Sequence, residues 1–181
     1  MKLLNNKIFA VAFMLLISLS LYGQQETRKE RKEREKREQE ALFEVSKALA
    51  NDSTFLIQGE RVVLRGGETE YVQGTTNFVK ISKETGVLQV APIFSSDPGA
   101  NGLGGITVKG RVTRYEVKEK GKNLYMKVNL QGTYVNAEMT INIYGSNNAT
   151  VNVAGQFSGQ AFTMYGKLIP LGQEFIYEGI D

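Results

Sequence analysis

The chain has no cysteine, no histidine and no tryptophan, and its aspartates are confined to Asp52, Asp97 and Asp181. Each absence removes a class of chemistry. Without cysteine there is no disulfide framework, thiol nucleophile or lipid-attachment site. Without histidine there is no Ser-His-Asp triad, and with both missing there is no zinc centre of the His/Cys kind. Neither a metal nor a cofactor is expected. Carboxylates, lysine and tyrosine remain as acids and bases. Asp52 reads as a helix-end residue, and Asp97, just before Pro98, as a turn residue. A glycosidase needs two carboxylates about 5–10 Å apart across a cleft. Glu60 with Glu116 or Glu138 is the pair on offer, but strand alternation turns Glu116 and Glu138 towards solvent. Ser82 and Lys83 are adjacent and face opposite ways, which defeats Ser-Lys chemistry. The expectation is a protein that is not an enzyme.

What is present begins with an address. Lys2 and Lys7 precede Ile8–Leu21, an apolar stretch interrupted by Ser18 and Ser20, and Gly23 leads into Gln24-Gln25. Residues 1–23 therefore read as a signal peptide. The stretch is shorter than the roughly 20 residues that span a bilayer, so the mature protein is expected to be periplasmic or secreted, not integral to a membrane. Loss of Lys2 and Lys7 lowers the formal charge of +3 by two, leaving little basis for nucleic-acid binding.

Residues 24–40 form a charged spacer. Glu26–Glu40 holds seven Lys/Arg and six Glu, with Glu30–Arg34 and Glu33–Arg37 spaced to support a helix. No apolar stripe anchors it. Such a stripe is expected afterwards, on the face formed by Ala41, Leu42, Val45, Ala48 and Leu49, with Phe43 beside it and Glu44, Ser46 and Lys47 elsewhere. The main domain, 41–172, thus starts with a helix.

From Thr54 the period changes to two. Thr54–Gln58 with Arg61–Leu64, Phe78–Ser82 and Val87–Ile93 read as strands. Ile106–Lys118 alternates and then shifts phase, which places a bulge near Thr113-Arg114. Leu124, Met126, Val128 and Leu130 face one way, and Ala137, Met139, Ile141 and Ile143 do the same in the next strand. Val151 and Val153, then Phe162, Met164 and Leu168, complete the set. Clean alternation with short turns describes an antiparallel meander. The fold expected is mainly β, a meander of about 7–9 strands curled into a barrel or half-barrel with one N-terminal α-helix packed on it; two packed sheets are the alternative. Gly110, Ala137, Gly155 and Gly166 on the inward rows either permit bending or leave space for a ligand. Residues 173–181 are a C-terminal tail or a last strand through Phe175 and Tyr177.

KALANDSTFLIQGERV, NFVKIS, VLQVAPIFSS, GGITVKGRVTRYEV, NLYMKVNL, AEMTINIYGSNNATVNV and FTMYGKLIP follow one another in this order. Over Ala41 to Pro170 this succession resembles the bacterial family catalogued as domain of unknown function 4251, found mainly in Bacteroidetes. The resemblance implies a secreted or envelope-associated domain and assigns no activity and no functional residue.

Two functions remain in view. One is an envelope interaction protein with a packed core that meets an envelope protein through its charged helix or a tyrosine-bearing face of Tyr125, Tyr134, Tyr144 and Tyr165. The other is a carrier of a lipid-like small molecule, lined by Ile106, Val108, Met126, Val128, Met139, Ile141 and Met164. The loop Ser95–Gly105 lacks the helix and lysine of a phosphate cradle; it is either a flexible connection or a loop closing over a pocket or partner.

Overall fold

The computed structural model describes residues 27–91, 105–155, 161–173 and 175–179. The signal segment and the loop residues 95–104 lie outside the described residues. The chain divides into two compact units, Met1–Glu38 and Gln39–Asp181. A helix, α1 (Arg28–Asn51), starts in the first unit and ends in the second. Thr27 caps it: its hydroxyl accepts the Glu30 N–H at 3.2 Å while Glu30 Oε2 accepts the Thr27 N–H at 2.9 Å. This reciprocal box satisfies two helix-end donors. One turn on, Arg31 and Glu35 pair at 2.8 Å.

The second unit is built from β1 (Thr54–Leu64), β2 (Thr69–Tyr71), β3 (Phe78–Ser82), β4 (Thr85–Val90), β5 (Ile106–Lys120), β6 (Asn123–Gly132), β7 (Asn136–Tyr144), β8 (Asn148–Gly155) and β9 (Phe162–Ile169). Every pairing is antiparallel. The sheet runs β2-β1-β3-β4-β5-β6-β7-β8-β9, and β9 returns to pair with β1. Eight strands therefore close a barrel, with β2 added beside the second half of β1.

Closure requires sharp local bending, and two bulges supply it. The β5–β6 register shifts between Val112 and Arg114, as the phase change in the sequence predicts, and the β1–β9 register shifts between Gly59 and Arg61. A glycine sits near each. A Cβ on Gly110 would stand 1.9 Å from the Gln131 carbonyl oxygen, and one on Gly166 1.9 Å from that of Gln58. Close strand approach, not spare volume, accounts for these two residues.

The inward rows of β6 and β7 are dry as expected: Leu124, Met126, Val128, Leu130, Ala137, Met139, Ile141 and Ile143 are all at most 2% exposed. They join one apolar cluster with Phe55, Ile57, Val62, Val79, Ile81 and Leu88 from the other side of the barrel.

The helix presents a different face from the one expected. Leu49 packs against the core as expected and Phe43, Ser46 and Ala50 are buried, whereas Leu42 and Val45 are 37% and 48% exposed and Ala41 and Ala48 face solvent. Two small residues, Ser46 and Ala50, let the helix approach closely while the Phe43 ring and Ala50 enter the core cluster. Ser46 loses no hydrogen bond, since its hydroxyl donates to the Leu42 carbonyl at 2.8 Å. The β5–β6 hairpin fixes this orientation: Lys122 reaches Glu40 at 2.6 Å, Lys47 reaches Glu119 at 2.7 Å, and the Tyr115 hydroxyl donates to the Ala50 carbonyl.

The C-terminal segment is neither strand nor loose tail over its described residues. Leu171 and Ile176 cover a second apolar patch, Leu56, Phe78 and Val87, on the outer side of β1, β3 and β4. The Tyr177 N–H donates to the Thr75 carbonyl at 2.8 Å, and fully buried Gln89 clamps the segment from below. Its amide nitrogen donates to the Tyr177 carbonyl at 2.6 Å and the Thr76 carbonyl at 3.0 Å, and its oxygen accepts the Gly179 N–H at 2.7 Å. Glu178 closes the strap on Lys80 at 2.5 Å and Lys109 at 3.4 Å. Chiefly the Lys80 bond holds the Glu178 carboxyl below its ordinary range.

Candidate functional site

The same alternation that dries the interior lays polar side chains in rows across the outer wall of β5–β9 and β1. Cross-strand pairing sets Arg114, Asn129, Glu138 and Ala154 in one row. The next holds Glu116, Lys127, Thr140, Asn152, Thr163 and Val63. A third runs Lys118, Tyr125, Asn142, Thr150, Tyr165 and Arg61. Amides and hydroxyls predominate in the middle of this wall, with Glu138 among them, and the charged Arg114, Glu116, Lys118 and Lys127 stand on the β5–β6 side with Arg61 on the β1 side.

A groove of about 420 Å³ lies over the first two rows. Its depth comes from short side chains: Ala154 and Ala161 add almost no height, and Thr140, Asn152 and Thr163 little more. Arg65, Arg114, Lys127 and Glu138 rise around them. Thr163 donates to the Asn152 side-chain oxygen at 2.9 Å, which fixes both groups. Arg114 is held along its own strand by Glu116, with Nη2 at 2.8 Å, and that bond is the main reason the Glu116 carboxyl lies below its ordinary range; Lys127 adds to it electrostatically. Arg65 and Lys127 form no ion pair among the described residues. In the third row the Arg61 guanidinium lies over the Tyr165 ring, 4.1 Å from its centre. The side-chain oxygen of Asn142 is buried in that row without a hydrogen-bond partner.

The tyrosines do not form one platform. Tyr125 and Tyr165 share a row but are three strands apart, about 14 Å at ordinary strand spacing. Tyr144 is a diagonal neighbour of Tyr125, and Tyr134, 85% exposed, stands in the β6–β7 turn away from the rows. The interior candidates are brought together: Val108, Met126, Val128, Met139, Ile141 and Met164 are at most 2% exposed in the core cluster, and half-buried Ile106 packs against it. Of the carboxylates weighed for paired catalysis, Glu116 is held by Arg114 and Glu60 lies 3.5 Å from Lys167. Among the described residues, no three His, Cys, Asp or Glu side chains gather as a metal site, and no helix is long and apolar enough to cross a membrane.

Sequence reasoning missed the groove, because it depends on which short residues from three strands fall side by side. Only the register reveals that.

The family model described as Domain of unknown function (DUF4251) matches residues 36–168. The chain belongs to the DUF4251 family. The crystal structure of a DUF4251 family protein from Bacteroides eggerthii DSM 20697 is similar at 31% identity with a TM-score of 0.64, covering 75% of this chain and 91% of that one. None of the curated proteins matches. The DUF4251 match takes in the second half of α1 and the strands up to Leu168, so both the barrel and the groove-bearing wall fall within it.

Proposed function

We propose that this DUF4251 protein is a non-catalytic, exported envelope interaction module that meets its partner through the polar outer wall of the barrel. The observation that carries this reading is the contrast between the two surfaces of one sheet. The inner rows are spent on a single apolar cluster, which the helix joins through Phe43 and Ala50. The outer rows carry a groove with short neutral floors and charged rims. A carrier would need the methionines at Met126, Met139 and Met164 to face a ligand; here they face other core side chains. Export rests on the positive start and apolar stretch of residues 1–23.

Native mass spectrometry of the protein purified from its own host tests both parts. The expected result is a bare polypeptide lighter by the mass of the signal segment. A stoichiometric lipid adduct would overturn the wall reading in favour of the carrier, and a full-length mass would overturn export.

A further inference from the structure

We infer that the groove on the outer wall takes an acidic glycan, a sugar chain carrying carboxylate or sulfate groups. This rests on the reading of the wall as the binding surface and supplies the chemical class of its occupant. The first argument is charge. Arg65, Arg114 and Lys127 line the groove against Glu138, and since Glu116 offsets Arg114 along its own strand, Arg65 and Lys127 carry the positive excess there. Arg114 and Lys127 are diagonal neighbours on adjacent strands, with Cα atoms about 7–8 Å apart in ordinary sheets. One anionic group can reach both, and Lys127 has no ion pair of its own among the described residues.

The second argument is the floor. Thr140, Asn152 and Thr163 are hydroxyl and amide groups with both donor and acceptor capacity, the complement of sugar hydroxyls. The Thr163–Asn152 bond already orients two of them, which lowers the ordering cost of binding. Single-stranded nucleic acid is gripped by stacking of bases on exposed aromatic rings, and Phe162, the aromatic among the residues lining this groove, is buried in the core cluster with its ring unavailable for stacking. A bilayer surface is flat, whereas the contact offered here is a hollow between rims.

The test is titration calorimetry of the mature chain with oligogalacturonate, a heparin-derived oligosaccharide, a neutral glucan oligomer, oligo(dT) and anionic phospholipid vesicles. Binding is expected to one or both acidic sugars, to weaken as salt rises, and to be stronger than binding to the neutral glucan or oligo(dT). Carboxylate preference or sulfate preference identifies the anion. Lys127→Glu should weaken binding about tenfold or more. Ala154→Phe should abolish it by filling the hollow, with the melting temperature unchanged in both variants. Lys83→Glu, the same charge change at the β3–β4 turn, should leave binding intact. Equal binding to oligo(dT) or to vesicles, binding indifferent to Ala154→Phe, or no binding to either acidic sugar overturns the inference. That failure is separable from failure of the wall reading, which the lipid adduct in native mass spectrometry reports.

Discussion

Gln89 is the most informative single residue to perturb. It points out of the barrel, yet it is fully buried because the C-terminal strap lies on it. Replacing it with leucine keeps the bulk and removes three hydrogen bonds of 3.0 Å or shorter, to the carbonyls of Tyr177 and Thr76 and the N–H of Gly179. At about 0.5–1.5 kcal/mol net for each bond, Gln89→Leu should cost about 3 kcal/mol. In a domain of this size that lowers the melting temperature by about 6–12 °C. The Glu178 ion pairs offer a contrast. They are partly exposed, with Lys109 at 55%, so Glu178→Gln should cost about 1 kcal/mol or less. Denaturant midpoints measure both losses, and hydrogen exchange at residues 175–179 reports whether the strap lifts. The reasoning is refuted if Gln89→Leu changes neither quantity, or if Glu178→Gln is the more damaging substitution.

Three further outcomes can be measured. Phe43→Ala should destabilise by about 3–5 kcal/mol, while Val45→Ala should stay within about 0.5 kcal/mol in the same denaturation series; the opposite order would restore the helix face read from the sequence. Gly166→Ala should disrupt barrel closure, because its Cβ would meet the Gln58 carbonyl, while Gly66→Ala, with open space around it, should fold normally; circular dichroism and size-exclusion profiles separate the two. Tyr115 has its pKa pushed up to about 12, chiefly by burial and further by the Asp52 charge. The folded state then keeps a proton that the unfolded chain releases above about pH 10, so stability should fall between pH 10 and 12, and less steeply in Tyr115→Phe.

The parts of the fold that sequence makes legible are those where one face of a strand is wet. β6, β7 and β9 alternate cleanly because, among the described residues, nothing covers their outer rows, and the β5 bulge shows as a phase slip. β1, β3 and β4 are harder to read: Phe55, Leu56 and Ile57 are buried in succession, since the strap covers the outer side as the core covers the inner. That strap has no period of its own; it is held by one glutamine and two lysines distant in sequence. The helix misleads for a related reason. Counting apolar residues favours the Leu42–Val45 side, but docking selects the face where Ser46 and Ala50 allow close contact. The groove is invisible until register aligns Thr140, Asn152 and Thr163 with Lys127.

Closure between the first and last strands has a consequence for how the chain acquires its structure. β1 finds its full-length partner only in β9, almost an entire domain later in synthesis. Neighbouring hairpins can pair early, but the ring is complete only when residues 162–169 arrive, and bringing such distant segments together is slow. A nascent chain lacking them has open sheet edges and an unsealed interior. It therefore stays pliable, with strand edges unpaired, until its final segment emerges.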